Sequence, residues 1–480
     1  MRFRSYALSL KSPLPSQPQQ SAAASSPRTA SGALPSWREI VLLTLPQVGL
    51  MLCHLAISLT DLWVAGRLDA GVQASLGVVT QIFALLMLVT SLAGAGCMAT
   101  VSQSLGAGLP RRASRYAGLI VSLALASGTC VGLTGLLLRG PALTLMGISP
   151  DMRPVITTFI TAYCCQLPLY YALIMLNSIF RAYKLMRLPL IALALTAGGN
   201  CAGSLGFGLG MWGLPDCGYA GVAWSTFGSA VLGFSCNLFA ALRHGILGPR
   251  AFAPWRWNRL ALPYLFRVGV PATVGQIASQ AGSLVTLGIL GALPGNPVAV
   301  VAGMTLGARV QSVLLFPIAA LGMTMTVFSG HLLGAGQRDG LYRLAVRVAL
   351  CTAAVLVIPA LLLYLFRVPV AGLMTGDGDV LRQAAAYLPF ACLAVPLSGA
   401  SVVLNGVFAG AGATRLTCLI GCVTTWALGI PLGYGLAALF DAPGVYAAGL
   451  FAQFAGFIWL TALFRSKKWL EYGLRKRQNG

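Results

Sequence analysis

The sequence predicts an all-α membrane protein in which twelve transmembrane helices form two six-helix lobes related by a parallel repeat. Three observations predict it. Of the 480 residues, 57% are hydrophobic and only 9% are charged, and the mean hydropathy is +0.81. A typical soluble domain carries roughly 25% charged residues, so a soluble enzyme and a cytosolic binding module are excluded. The apolar runs outlast a strand and do not alternate, which favours helices of about 20 apolar residues over a β-barrel. Finally, the chain matches itself without gaps at a shift of 228 residues.

Residues 1–36 are rich in Pro, Ser, Ala and Gln, with scattered basic residues. They cannot bury a core, and Tyr6 to Leu10 is too short for the apolar region of a signal peptide, so a disordered cytoplasmic tail is expected. Twelve spans follow, at 38–66, 72–105, 116–138, 154–181, 188–212, 218–242, 265–292, 298–333, 343–366, 382–408, 416–440 and 444–464. With the N-terminus inside, twenty-six Lys and Arg fall in inner loops and tails, and Arg181 is among them. Five (Arg67, Arg139, Arg153, Arg367 and Arg382) fall in outer loops, and Arg309 lies within a span. This bias places both termini on the cytoplasmic side of a plasma membrane, the inner one in a bacterium. The net charge of +22 is therefore a topology signal. Its basic residues punctuate apolar runs and form no single patch, so no nucleic-acid partner is expected.

The division that results is a tail (1–36), an N-terminal lobe (37–242), a cytoplasmic linker (243–264), a C-terminal lobe (265–465) and a basic tail (466–480). The 228-residue register pairs Gly106-Ala107-Gly108 with Gly334-Ala335-Gly336, Arg115 with Arg343, Pro141 with Pro369, Asp151 with Asp379, Pro168 with Pro396, Asn177 with Asn405 and Arg187 with Arg415. Six spans fit in the shift, so both copies point the same way, and a parallel repeat of this kind sets a substrate path at the midplane between the lobes.

Charged groups within a bilayer are costly and mark function. Of ten acidic residues, Asp61 is the one left within a span, toward its outer interface, where a carboxylate is cheap, so position alone leaves a functional and a structural reading open. His54 precedes it by seven residues, two turns along one helix face, and the pair suits a proton relay. Packing is the competing reading for His54. Arg309 either meets an anionic substrate group or snorkels along its own helix. Asn177, Asn200, Thr226, Gln276 and Gln280 are polar residues within spans, where helix-to-helix hydrogen bonding is the ordinary role. The twelve cysteines sit in apolar runs without a C-x-x-C pair, and no nucleophile triad, zinc motif or haem motif appears. Neither enzyme activity, a metal nor a cofactor is expected.

Several short motifs together resemble the multidrug and toxic compound extrusion (MATE) family. They are Leu45-Pro46-Gln47 followed by Asp61 and Trp63-Val64-Ala65-Gly66; Val101-Ser102-Gln103-Ser104-Leu105-Gly106-Ala107-Gly108; and Leu333-Gly334-Ala335-Gly336, with His331 where Gln is usual. Gly218 to Thr226 and Phe408 to Arg415 complete the set. The resemblance covers residues 37–465. It implies an antiporter that exports amphipathic, cationic drugs or metabolites in exchange for protons, less readily sodium, by opening its two lobes in turn. It implies Asp61 as the cation-coupling residue, with Asn177, Asn200 and Thr226 around it. Trp63, Gln276, Gln280 and Arg309 are the candidates for the substrate cavity. Some members carry a second acid where this chain has Ser204, and one branch carries acids where it has Ser279 and Ser398. A cation site in the C-terminal lobe is therefore not expected. Small-molecule substrate, coupling cation and membrane lipid are the expected partners of a monomer. A lipid-linked sugar flippase of the same superfamily is the alternative, weakened by the scarcity of cations within spans. Deletion of residues 1–34 should leave membrane insertion and dye efflux unchanged, measured by immunoblot of membrane fractions and by fluorescence. Loss of either would give the tail a role.

Overall fold

Ser36 opens the first helix, its side-chain oxygen accepting from the Glu39 N–H at 3.3 Å, a cap that satisfies one of the free donors at a helix start. From there the computed structural model is almost entirely helical. It describes residues 34–145 and 147–473, so most of the tail expected at 1–36 and the last part of the basic tail expected at 466–480 lie outside the described residues. The helices of the first half are α1 (Trp37–Leu68), α2 (Ala70–Gly106), α3 (Pro110–Leu145), α4 (Arg153–Ala182), α5 (Arg187–Leu209) and α6 (Gly218–Arg243). The second half holds α7 (Trp255–Gly291), α8 (Pro297–Gly334), α9 (Arg338–Leu365), a short α10 (Arg367–Gly372), α11 (Gly378–Ala411), α12 (Thr414–Cys422) and α13 (Ile430–Arg465). A π-helical stretch, Val423–Gly429, joins the last two.

Ten helical segments among the described residues are long and apolar enough to cross a bilayer, and Thr414–Arg465 counts as one of them. That segment is two spans folded on each other. Its backbone turns at Asp441 (φ 51°), just before Pro443. Gly444 lies against Leu436, Gly433 against Ala448, Gly429 against Ala452 and Gly456 against Thr424, which is the pairing of an antiparallel hairpin. α7 matches its neighbours in length, with 37 residues, but Thr273, Gln276, Ser279, Gln280 and Ser283 dilute its apolar run. With these two counted, the described residues hold the twelve expected spans. Helices α1 to α6 pack into one lobe and α7 to α13 into the other.

Trp37, at the start of α1, lies under Arg347 of α9 at 4.9 Å, and Tyr342 stacks on Phe464 near the end of α13. The start of α1 and the end of α13 thus share one end of the bundle, here the base; the opposite end is the mouth. The repeat is visible in the backbone. Gly108 and Gly336, 228 residues apart, end α2 and α8 at φ +72° and +78°, the left-handed turn that glycine adopts without penalty. The same register puts Lys184 at φ +61° where the second lobe has Gly412 at +79°.

The lobes meet through these motifs at the base. A side chain on Gly106 would overlap the backbone of His331, and one on Gly334 would overlap the Gln103 carbonyl. Glycine here lets the α2 and α8 backbones cross in contact. Gln103 Nε2 donates to the Gly410 carbonyl at 2.8 Å, and His331 Nε2 donates to the Ala182 carbonyl at 2.8 Å. Gln103 and His331 are repeat equivalents, as are Ala182 and Gly410, so one latch is made twice about the pseudo-twofold axis. Thr44 and Gln47 of α1 add bonds to Thr324 of α8 at 3.0 and 2.8 Å. Ser91 donates to Gln276 Oε1 at 2.7 Å near the middle of α2 and α7. Among the described residues no inter-lobe hydrogen bond lies nearer the mouth.

Candidate functional site

Small residues bring α1, α5 and α6 together. Gly208 of α5 touches both Val64 of α1 and Val222 of α6, Gly203 meets Ser225, and Gly221 meets the Phe207 backbone. This three-helix junction buries Asp61 to 5% exposure, and Asn200 and Ser204 to 0%. Ser204 Oγ donates to Asp61 Oδ1 at 2.9 Å, and Thr226 Oγ1 lies 3.4 Å from Oδ2. Asn200 Nδ2 donates to Thr226 Oγ1 at 3.1 Å. The amide, hydroxyl and carboxylate therefore form a chain in which each donor polarises the next. Asn200 and Ser204 are one helical turn apart and share a face. The buried Asn200 Oδ1 has no donor, so it adds an unused oxygen to those of Asp61, Ser204 and Thr226. Such a group can take up and release one proton, or offer oxygens to a small hard cation.

The repeat register gives this cluster no copy. Asp61, Asn200, Ser204 and Thr226 correspond to Ile289, Leu428, Leu432 and Phe454. The backbone was duplicated and the polar chemistry stands in one lobe. Ser204, marked in the sequence as a missing acid, is the nearest donor to Asp61.

Asn177 does not join the cluster. Its Oδ1 accepts from Asn237 Nδ2 at 2.7 Å. Thr226 and Asn237 are separated along α6 by about 16 Å of helix rise, so Asn177 lies far toward the base and bonds α4 to α6. Trp63 is also displaced from its expected place. Two residues beyond Asp61 turn it about 200° around α1, and it sits 51% exposed beneath Arg67, 5.1 Å away. An aromatic exposed at the mouth end of a span belongs to the interfacial belt.

The remaining candidates share no hydrogen bond with Asp61. His54 is exposed on the α1 face that carries Gln47. It is about 10 Å of helix rise from Asp61 and shares no hydrogen bond with it. Gln276 bridges to Ser91, and Gln280 follows one turn nearer the mouth. Arg309 is exposed on α8, opposite Gly303 and Gly307, which pack on α11. Arg181, counted with the base loops from sequence, reaches instead between the lobes, donating to Ser178 Oγ at 3.0 Å and approaching Met323 Sδ at 2.8 Å. A cavity of about 370 Å³ at the base, lined by Leu42, Lys184, Arg187 and His244, is separate from Asp61. Among the described residues no cluster of His, Cys, Asp or Glu is arranged for a metal.

The MatE family model matches residues 46–203 and 271–435, more than half of the chain. The multidrug resistance protein PmpM of Pseudomonas aeruginosa is 28% identical over 408 residues, covering 83% of each chain. The transporter YisQ of Bacillus subtilis is 21% identical over 410 residues, 84% of this chain and 88% of its own. The Vibrio cholerae MATE transporter VcmN in its bent form superposes with a TM-score of 0.82 at 20% identity, over 91% of this chain and 98% of the other, a likeness of fold. Two six-helix lobes, the duplicated glycine motifs and a match along both halves lead to one conclusion: the chain is an integral membrane protein of the MATE family of transporters.

Proposed function

We propose that this protein is a secondary antiporter that exports amphipathic drugs or metabolites across a bacterial plasma membrane in exchange for protons, its base facing the cytoplasm. The observation that carries the reading is Asp61. It is the one carboxylate at membrane depth among the described residues, and it is held by hydroxyl and amide donors with no cation beside it. A buried carboxylate changes the charge of its lobe by one unit when it takes a proton, and that step can bias two packings of the surrounding helices. The inter-lobe hydrogen bonds gathered at the base are consistent with one half of an alternating-access cycle. The basic residues gathered at the base support its cytoplasmic placement. Multidrug resistance in the name of PmpM supports the substrate class.

Sodium is the second reading, favoured by one observation. Asn200 Oδ1 stands unpaired beside two hydroxyls and the carboxylate, an oxygen set of the kind a small cation takes. The test is dye transport in proteoliposomes under an imposed proton gradient at fixed sodium, then under a sodium gradient at fixed pH. Transport driven by the proton gradient and insensitive to sodium is expected. The reverse pattern would replace the proton by sodium, and transport under neither gradient would overturn the antiporter.

A further inference from the structure

Arg181 lies in the last turn of α4, beside Met323 of α8. Among the described residues its charge has no counter-ion. The ion pairs among the described residues are Arg382 with Asp379 and Lys467 with Asp339, both at the surface. Its Nη2 donates to the Ser178 hydroxyl, its Nη1 meets only the Met323 thioether, a weak acceptor, and its Nε is buried with no acceptor. A half-buried guanidinium without an anion is incompletely compensated, and its planar fork matches a carboxylate or phosphate in two parallel bonds. Met323 also places Arg181 at the junction of the lobes. Arg309 precedes Met323 by about four turns on the same side of α8, about 21 Å nearer the mouth. Two cations therefore lie along this side of α8, while Asp61 is enclosed by α1, α5 and α6.

We propose that Arg181 binds an anionic group of the transported molecule, so that the favoured substrates are amphipathic carboxylates or zwitterions rather than simple cations. This rests on the transporter reading above. An anion taken up from the cytoplasmic side meets the Arg181 guanidinium near the base and leaves toward the mouth past Arg309, along a positive field. Because Arg181 also touches Met323 of the other lobe, the bound anion would sit where the lobes part.

The test uses three probes on one aromatic fluorophore: a carboxylate, its methyl ester and a tertiary amine. Saturation kinetics are measured in proteoliposomes, with equilibrium binding to the purified protein in detergent as a second readout. The wild type should show the lowest KM and Kd for the carboxylate. Arg181→Gln should raise both at least tenfold for the carboxylate, with kcat changed less than twofold and the ester unaffected, and Arg181→Lys should recover part of the loss. Met323→Leu removes the contact between lobes but keeps the guanidinium, and should preserve the carboxylate preference. Equal loss of all three probes in Arg181→Gln, reproduced by Met323→Leu, would make Arg181 a structural latch. Stronger binding of the amine than of the carboxylate by the wild type would overturn the substrate class while leaving the transporter intact. Selective carboxylate binding without transport of any probe would overturn the transporter reading alone.

Discussion

Asp61→Asn is expected to reach the membrane folded and to lose at least 100-fold in proton-driven export. Folding survives because each contact has a substitute. The amide oxygen accepts from Ser204 as Oδ1 does now at 2.9 Å. The amide nitrogen donates to Thr226 Oγ1, whose own proton turns to the Val222 carbonyl at 3.1 Å. A neutral amide also avoids the desolvation of a buried carboxylate, which costs several kcal/mol when uncompensated, so stability should change by no more than about 1 kcal/mol. Coupling has no substitute. No other described acid lies at membrane depth, and the repeat equivalents of the cluster are apolar. Asp69→Asn is the control. Asp69 caps α2 through its Gly71 contact, and asparagine caps a helix about as well, so transport should stay within twofold. The measurement is dye transport under a pH gradient in proteoliposomes at equal protein. Wild-type transport by Asp61→Asn would remove Asp61 from the mechanism without touching the fold.

Gly106→Ala and Gly334→Ala are each expected to drive the lobes apart at the base. Helix propensity alone favours alanine by about 1 kcal/mol, so a loss of the base-closed state cannot come from the helix itself. It comes from the crossing, where a new methyl overlaps the backbone of the facing helix. Overpacking of this kind costs about 1–3 kcal/mol. Separating α2 from α8 also strains the Gln103–Gly410 and His331–Ala182 bonds, worth about 0.5–1.5 kcal/mol each. A net change of about 2–3 kcal/mol moves a two-state equilibrium roughly 30- to 150-fold. Nitroxide labels at positions 111 and 338, exposed at the base on α3 and α9, would report it as a distance distribution shifted to longer values, with transport reduced. An unchanged distribution together with wild-type transport would show that the crossing does not hold the base closed.

The spans and the repeat were legible because a bilayer imposes a long apolar run on every helix that crosses it, and Asp61 was legible because an acid within such a run is rare. Helix ends at the interface were less so. α7 begins at Trp255 and α3 at Pro110, earlier than the expected 265 and 116, since their first turns are amphipathic and carry no apolar run. Contacts across helices left weaker traces. Ser204 follows Asn200 by one turn, and that spacing placed it on the right face, but a serine advertises no charge. Asn177 is polar and within a span, yet only the path of α4 and α6 shows that Asn237 is its partner. Arg181 sits at the edge of an apolar run, where position along the chain cannot separate a loop cation from one folded back between lobes.

That the second lobe holds Ile289, Leu428, Leu432 and Phe454 where the first holds its polar cluster fixes the stoichiometry on the proposed reading. One carboxylate carries one proton per cycle, so each pH unit supplies about 1.4 kcal/mol and sustains at most a tenfold gradient of a substrate whose movement is electrically silent. A monocation leaving against one proton is such a substrate and draws nothing from the membrane potential. A neutral molecule lets one charge cross per cycle, worth about 2.3 kcal/mol per 100 mV. A monoanion lets two cross, about 4.6 kcal/mol per 100 mV. With a single ion to spend, the carrier concentrates anions most steeply, and a voltage clamp on the liposome membrane would rank its substrates by charge.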